Sequence, residues 1–478
     1  MFVLGFPPLL SPSAQSALHS QSRARPATHH LAFSQTSFPR RQASRGYPHP
    51  SVLRQVDNIT AGPTNTKPKA SSPSDTHYPL WRALPLAPGP YRKTARFTVI
   101  PNKIYVFEQV FGALDVVVNI RMTVIVLKDG SLFVHAPVAP TIECLRLVDE
   151  LGPVKYVVLP TTAVEHKVFF GPFCKRYPAS QIYAAPGQWS LPLNLPLSFL
   201  GLWPRKLDGV LKDADKSAPW ADEFEQALLY VPLGLAPFVE CAFYHRPTRT
   251  LLVTDTVIAL SSTPPIICQD NPESLLIRAK DDKNDPALDT LEVRQRGWQK
   301  IVLFSLFIKP GYVDVNILDV LAEALRAGPF ADCFIWNPKW KESFDNVQQH
   351  KLVCPPILQT LVLNKQPTLV KEWVAKVCKW DFQRVIPAHF TAPVAANSRD
   401  FANAFRYLDK QATQTTQPSQ PSQTAQSVKR RSWLPRFGWG KNSKDTAELV
   451  FDEKDMEVFT RANAFLTFTG AVKGEKLP

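Results

Sequence analysis

No CxxC pair occurs among the seven cysteines of this 478-residue chain. Their odd number and wide scatter exclude a disulfide framework and a thiolate zinc cluster, leaving reduced and mostly buried thiols as the expectation. No run of eighteen apolar residues is present, so no membrane-spanning helix is expected. The sequence also lacks a GxSxG nucleophile turn, an HExxH zinc helix and an EF-hand loop. Residues Gly438, Trp439, Gly440, Lys441 and Asn442 carry part of a phosphate loop. Its first glycine is missing, however, and Asn442 stands where a hydroxyl should hold Mg²⁺.

Acidic residues are scarce at the start of the chain. Through Ser74 there are eight Lys or Arg and a single acid, Asp57, so this stretch carries +7 of the formal +14. The remaining 404 residues hold only the other +7, too small a surplus to imply nucleic-acid binding. Residues 1–90 are rich in Ser, Pro, Ala, Thr and Arg, and they hold five of the ten histidines without ligand spacing. Basic charge, hydroxyls and little acid mark an organelle transit segment, which low hydrophobicity keeps disordered. A plastid is the first expectation and a mitochondrion the alternative.

Regular patterning begins near Tyr105. Residues 122–127 and 131–138 are apolar runs around the turn Lys128-Asp129-Gly130, which reads as a hairpin. Thr141 caps a helix whose apolar face is Ile142, Leu145, Val148 and Leu151, and Gly152-Pro153 ends it. A strand at 156–159, a helix at 168–176 and a strand at 181–185 follow. A second hairpin joins 241–244 to 250–254, helices are expected at 315–327 and 367–379, and a short strand at 385–388. Hairpins interleaved with alternating strands and helices favour a mixed α/β sandwich over a purely parallel sheet. The domain division is therefore a disordered extension at 1–90, a main domain at 91–410 with a charged insertion at 266–298, a low-complexity insertion at 411–446, and a closing helix within 447–478. The basic and aromatic stretch 429–441 reads as the solvated end of that low-complexity insertion.

Three side chains share one kind of placement. His166 follows the 156–159 strand in the loop after it, Asp255 directly follows the 250–254 strand, and His389 directly follows the 385–388 strand. If the strands run the same way, all three meet at one sheet edge, where sites are commonly built. Two imidazoles and a carboxylate suit zinc or iron(II), and Glu165 can add an oxygen. The alternative on residues alone is two hydrogen-bonded histidines at strand ends and an aspartate that caps a helix.

The segments 130–137, 151–160, 177–179 and 184–187 follow one another as in the first half of the metallo-β-lactamase superfamily, which the chain resembles from about Tyr105 to Phe405. His245 to Asp255 is similar to the strand pair that delivers its bridging aspartate, and Ile386-Pro387-Ala388-His389 to its last histidine. Ile120 to Ile125 and Arg296-Gly297-Trp298 look like a plant, algal and cyanobacterial branch whose domain has no assigned function. The resemblance implies an αββα sandwich. The superfamily's HxHxDH motif here reads Thr161-Thr162-Ala163-Val164-Glu165-His166, and Leu235-Ala236-Pro237 occupies the region of a further histidine. The motif is degenerate: the first metal site is lost. The second retains Glu165, His166, Asp255 and His389 as its implied ligands, for one zinc or iron ion.

This resemblance implies a single-metal hydrolase of an ester, thioester, amide or phosphodiester, with Asp255 holding the ion or positioning water. The alternative is a non-catalytic plastid protein that keeps the fold as a binding or assembly surface. A small molecule or a protein is the expected partner, and nucleic acid is not.

Overall fold

The Lys128-Asp129-Gly130 turn sits where the sequence puts it, and the large sheet grows around it. The structure is a computed structural model that describes residues 74–78, 86–87, 91–113, 115–188, 207–234, 236–316, 333–409 and 449–468. Its first sheet contains β1 (Leu86–Ala87), β2 (Ala95–Ile100), β3 (Ile104–Ala113), β4 (Val116–Val126), β5 (Leu132–His135), β6 (Val154–Leu159), β7 (Gln181–Ala184) and β8 (Gly209–Val210). The order is β1-β3-β4-β5-β6-β7-β8, with β2 paired to β3. Pairing is antiparallel up to β5 and parallel from β5 to β8. The switch occurs where α1 (Ile142–Asp149) crosses over from β5 to β6. Thr141 Oγ1 accepts from Cys144 N at 3.1 Å and starts that helix as expected.

A second sheet begins with β9 (Phe224–Val231), β10 (Phe238–His245) and β11 (Thr250–Leu252), all antiparallel. The β10–β11 turn is tight enough to place Arg249 at φ 51°. Strands β12 (Val313–Val315) and β13 (Phe334–Trp336) form a separate ribbon. Strand β14 (Arg384–Ile386) then returns to pair parallel with β11. The helix expected at 315–327 therefore begins in a strand, and residues 317–332 lie outside the described residues, as does the whole of 411–446.

The two sheets bury their facing sides against each other. Phe133 of β5 stacks on Phe224 of β9 with centroids 4.6 Å apart and meets Phe243 of β10 at 5.6 Å. Val158, Cys241, Leu252 and Ile386 join this inter-sheet core. On the outer face of the first sheet, Val134, Val157 and Leu159 pack under Cys144 and Val148 of α1 and under Phe169, Phe170 and Phe173 of α2 (Val164–Arg176). The helix Pro367–Val377 covers the second sheet, with Trp373 Nε1 donating to Ala227 O at 3.1 Å. The layers run helix, sheet, sheet, helix, which is the sandwich the sequence implies.

Helix α2 starts at Val164, four residues before the sequence suggests, so His166 sits in its first turn and not in a loop. No side chain caps this start at Ala163, and Pro172 lies inside the helix, so neither the start nor the interior carries an ordinary helix signal. Residues 266–298 carry α3 (Ile266–Gln269), α4 (Glu273–Ala279) and the first half of α5 (Leu291–Phe307). Trp298 and 301–304 of α5 are buried against the rest of the domain. Within 447–478 the closing helix spans Glu453–Phe468. Asp455 Oδ1 accepts from Gly311 N at 2.6 Å, and Tyr312 donates to Asp452 Oδ2 at 2.8 Å. Among the described residues no helix is long and apolar enough to cross a membrane. Six cysteines are buried, Cys378 is half-buried, and all seven are free thiols.

Candidate metal centre

Strand register brings the site together. In the parallel β11–β14 pair, Leu252 lies opposite Ile386. Each chain then runs three residues further, one to Asp255 and the other to His389. Val253 N donates to Ile386 O and Ala388 N to Thr254 O, both at 3.2 Å, so the chains stay in step beyond the ladder. His166 arrives from the other sheet, through β6, the loop 160–163 and the first turn of α2. That loop is stitched to β10: Cys241 N donates to Pro160 O at 2.7 Å and Thr162 N to Val239 O at 3.1 Å.

The result is a close trio. Asp255 Oδ1 lies 3.6 Å from His166 Nε2 and 3.3 Å from His389 Nε2. The ligand atoms of the three residues all fall within 4.8 Å of one another, and all three residues are buried.

Several of their polar atoms have no hydrogen-bond partner. These are both ring nitrogens of His166, His389 Nε2 and Asp255 Oδ2. Buried polar groups are rarely left so, and each exception asks for a cause. The His389 ring fixes its own tautomer. Its Nδ1 lies 3.0 Å from Asn119 O, and a carbonyl can only accept, so the ring carries a proton on Nδ1. The Nε2 lone pair then faces a carboxylate oxygen, which is repulsive unless a second proton or a cation lies between them. A hydrogen bond that fixes the tautomer and frees the other nitrogen is the usual preparation of a ligand histidine. Burial favours the neutral form of Asp255, but the two imidazoles outweigh it and hold the carboxyl well below the ordinary range. Burial pushes the His389 imidazole down, and Asp255 pulls against it.

The donor set of two imidazoles and a carboxylate fits zinc or iron(II), with His166, Asp255 and His389 as holders. Glu165 is buried in the same helical turn, but it is not one of the three residues whose ligand atoms fall within 4.8 Å of one another. The loop that leads into α2 is tied by local hydrogen bonds. Thr161 Oγ1 accepts from Ala163 N at 3.1 Å, while Thr162 Oγ1 donates to Pro237 O at 3.2 Å. Leu235 lies outside the described residues.

Other residues around the trio were not singled out from the sequence. Glu240 of β10 binds the backbone beneath Asp255. Asn119 of β4 donates to Phe390 O at 2.9 Å and accepts from Phe390 N at 3.0 Å. Arg121, also of β4, donates to Pro387 O at 2.5 Å and to Phe390 O. Together they lock the turn that presents His389. His135, at the end of β5, is buried with Nε2 unpartnered, and burial, then His166, lowers its pKa to about 3. A signal existed for most of these. Glu240, Asn119 and Arg121 are polar side chains in the middle of apolar strands, where burial is costly unless each is paired.

Residues 101–407 match the family described as Domain of unknown function (DUF4336), and the chain belongs to that family. No curated protein matches the sequence. Among solved structures, a metallo-β-lactamase from Pontibacter korlensis is 10% identical, with a TM-score of 0.33 over 66% of this chain and 99% of that one. The metallo-β-lactamase DIM-1 is also 10% identical, with a TM-score of 0.31 over 66% and 97%. The metal-soaked flavodiiron core Flv1 from Synechocystis sp. PCC6803 is 13% identical, with a TM-score of 0.36 over 68% and 63%.

Proposed function

We propose that this member of the DUF4336 family binds one divalent cation, zinc or iron(II), through His166, Asp255 and His389, and uses it as a single-metal hydrolase. The observation that carries the reading is the trio itself: three buried side chains with ligand atoms within 4.8 Å and four polar atoms lacking partners. A cation held there would take one nitrogen from each imidazole and an oxygen from Asp255, and would remove the repulsion between His389 Nε2 and Asp255 Oδ1.

A bound divalent ion supplies Lewis acidity, acidifying water and polarising a carbonyl or phosphoryl oxygen. The chain's own groups do the rest. Asn119 O keeps the His389 proton on Nδ1. Asp255 contributes the negative charge and, in this reading, orients water. Esters, thioesters, amides and phosphodiesters are the substrate classes such chemistry serves. Glu165 adds a buried carboxylate one residue before His166 in the first turn of α2, outside the trio itself. A plastid address, with a mitochondrion second, belongs to the same proposal and rests on the composition of residues 1–90.

Elemental analysis of the purified full chain, beside a His166→Ala, His389→Ala double variant, tests the cation. About one zinc or iron per chain, lost in the variant while its circular dichroism persists, supports the site. No stoichiometric metal after reconstitution with zinc and with iron(II) sinks it. Turnover of chromogenic ester, thioester and phosphodiester panels by the loaded protein then separates a hydrolase from a binding protein.

A further inference from the structure

Glu240 is a fully buried carboxylate in the middle of β10, where every neighbour along the strand is buried too. It spends all its acceptor capacity on one short stretch of backbone. Oε1 accepts from Thr254 N at 3.0 Å and from Thr256 Oγ1 at 2.6 Å. Oε2 accepts from Asp255 N at 2.8 Å and from Thr256 N at 3.0 Å. Four donors on two oxygens leave it no capacity to ligate an ion directly. They also leave the backbone from Thr254 to Thr256 no freedom to turn, and Asp255 is the middle residue of the three. Past the end of β11 the ladder reaches this stretch through Ala388 N, which donates to Thr254 O at 3.2 Å, while Glu240 takes the Asp255 and Thr256 N–H groups beyond it.

We infer that Glu240 is the positioning residue of the cation site: it gathers three consecutive N–H groups and one hydroxyl so that the Asp255 carboxylate faces His166 and His389. The inference rests on the cation reading above. Support from behind a ligand commonly changes metal affinity by about 10- to 100-fold.

The test titrates the full chain with Co²⁺, following affinity and visible absorption, and compares Glu240→Gln and Thr256→Val. A glutamine keeps the shape but turns an NH₂ toward donors, so Asp255 is released while the β10 core is kept. Glu240→Gln should bind Co²⁺ about 10- to 100-fold more weakly, with a changed absorption spectrum that reports a changed ligand field. Thr256→Val, which removes only the hydroxyl donor, should show a smaller loss of the same sign. A folded Glu240→Gln protein with wild-type affinity and spectrum overturns the inference. If Glu240→Gln does not fold, Thr256→Val decides: weakened binding supports the role, and unchanged affinity and spectrum overturn it. Wild-type protein that binds no Co²⁺ overturns the cation reading instead, a result distinct from an unaffected variant.

Discussion

Arg121 and Glu108 face each other across the β3–β4 ladder as an ion pair inside the first sheet, with Arg121 Nε 2.9 Å from Glu108 Oε1. Their side chains are 1% and 7% exposed. The pair joins the first sheet to the site, because the same guanidinium donates to the carbonyls around His389. Replacing Glu108 alone, as Glu108→Gln, leaves a buried charge under-compensated and should cost about 3–5 kcal/mol. Urea unfolding measures it. The double change Glu108→Gln, Arg121→Met should recover only part of that loss, since it also frees the carbonyls of Pro387 and Phe390. Full recovery would show that Arg121 does not hold the His389 turn.

Helix α5 crosses α4 at Gly297, where an added Cβ would overlap the carbonyl oxygen of Leu275. The overlapped atom is backbone, which cannot rotate away as a side chain would. Gly297→Ala should therefore push the helices apart and destabilise by about 1–3 kcal/mol, despite alanine's better helix propensity. A thermal midpoint equal to or above the wild type would mean that the two helices can separate at little cost.

Stability should fall in mild acid through His245, which is fully buried at the end of β10. Burial, with Lys103 and Arg246 adding to it, lowers its pKa from 6.5 to about 4. Glu223 Oε2 lies 3.7 Å from Nε2, and the net shift is still downward. The folded imidazole stays neutral while the unfolded one takes a proton below its ordinary pKa. Stability from this group is complete above pH 6.5 and is lost as the pH falls toward about 4. At pH 5 the loss should be about 2 kcal/mol relative to pH 7. Urea midpoints at both values should differ less in His245→Gln, and an equal drop in the variant would assign the acid sensitivity to other groups.

Thiol reactivity should be confined to one position. Cys144, Cys174, Cys241, Cys268, Cys333 and Cys354 are buried, and Cys378 is half-buried with Sγ 3.4 Å from Ser398 O. Burial raises the pKa of Cys378 to about 12, so even this thiol should react slowly with a disulfide reagent in native protein. Cys378→Ser should remove the native-state signal and leave six thiols that appear only on denaturation. Several fast thiols in native protein would contradict the buried arrangement.

The sequence was readable wherever one local rule decided the structure. The Thr141 cap, the Gly130 turn and the apolar runs of β4 and β5 each depend on a few neighbouring residues, and each appears where it was expected. It was misleading at α2, whose start has no capping side chain and whose interior holds Pro172. That helix forms because Phe169, Phe170 and Phe173 pack on the first sheet, and no window of sequence contains that partner.

By itself the sequence determined the mixed α/β class, the reduced state expected of the thiols, the lack of a long apolar run, and the three residue types of the trio. These follow from composition and from periodicity along the chain. Only the tertiary structure decided that β11 and β14 run parallel in a register that puts Asp255 beside His389. It also decided that α2 swings His166 in from the other sheet, and that Glu240, Asn119 and Arg121 are the buried polar groups beneath them. The physical reason is distance along the chain. Asn119 and His389 are 270 residues apart, yet their hydrogen bond sets which nitrogen of the histidine is free. A contact of that span is fixed by how the two sheets close on each other, and no local pattern records it.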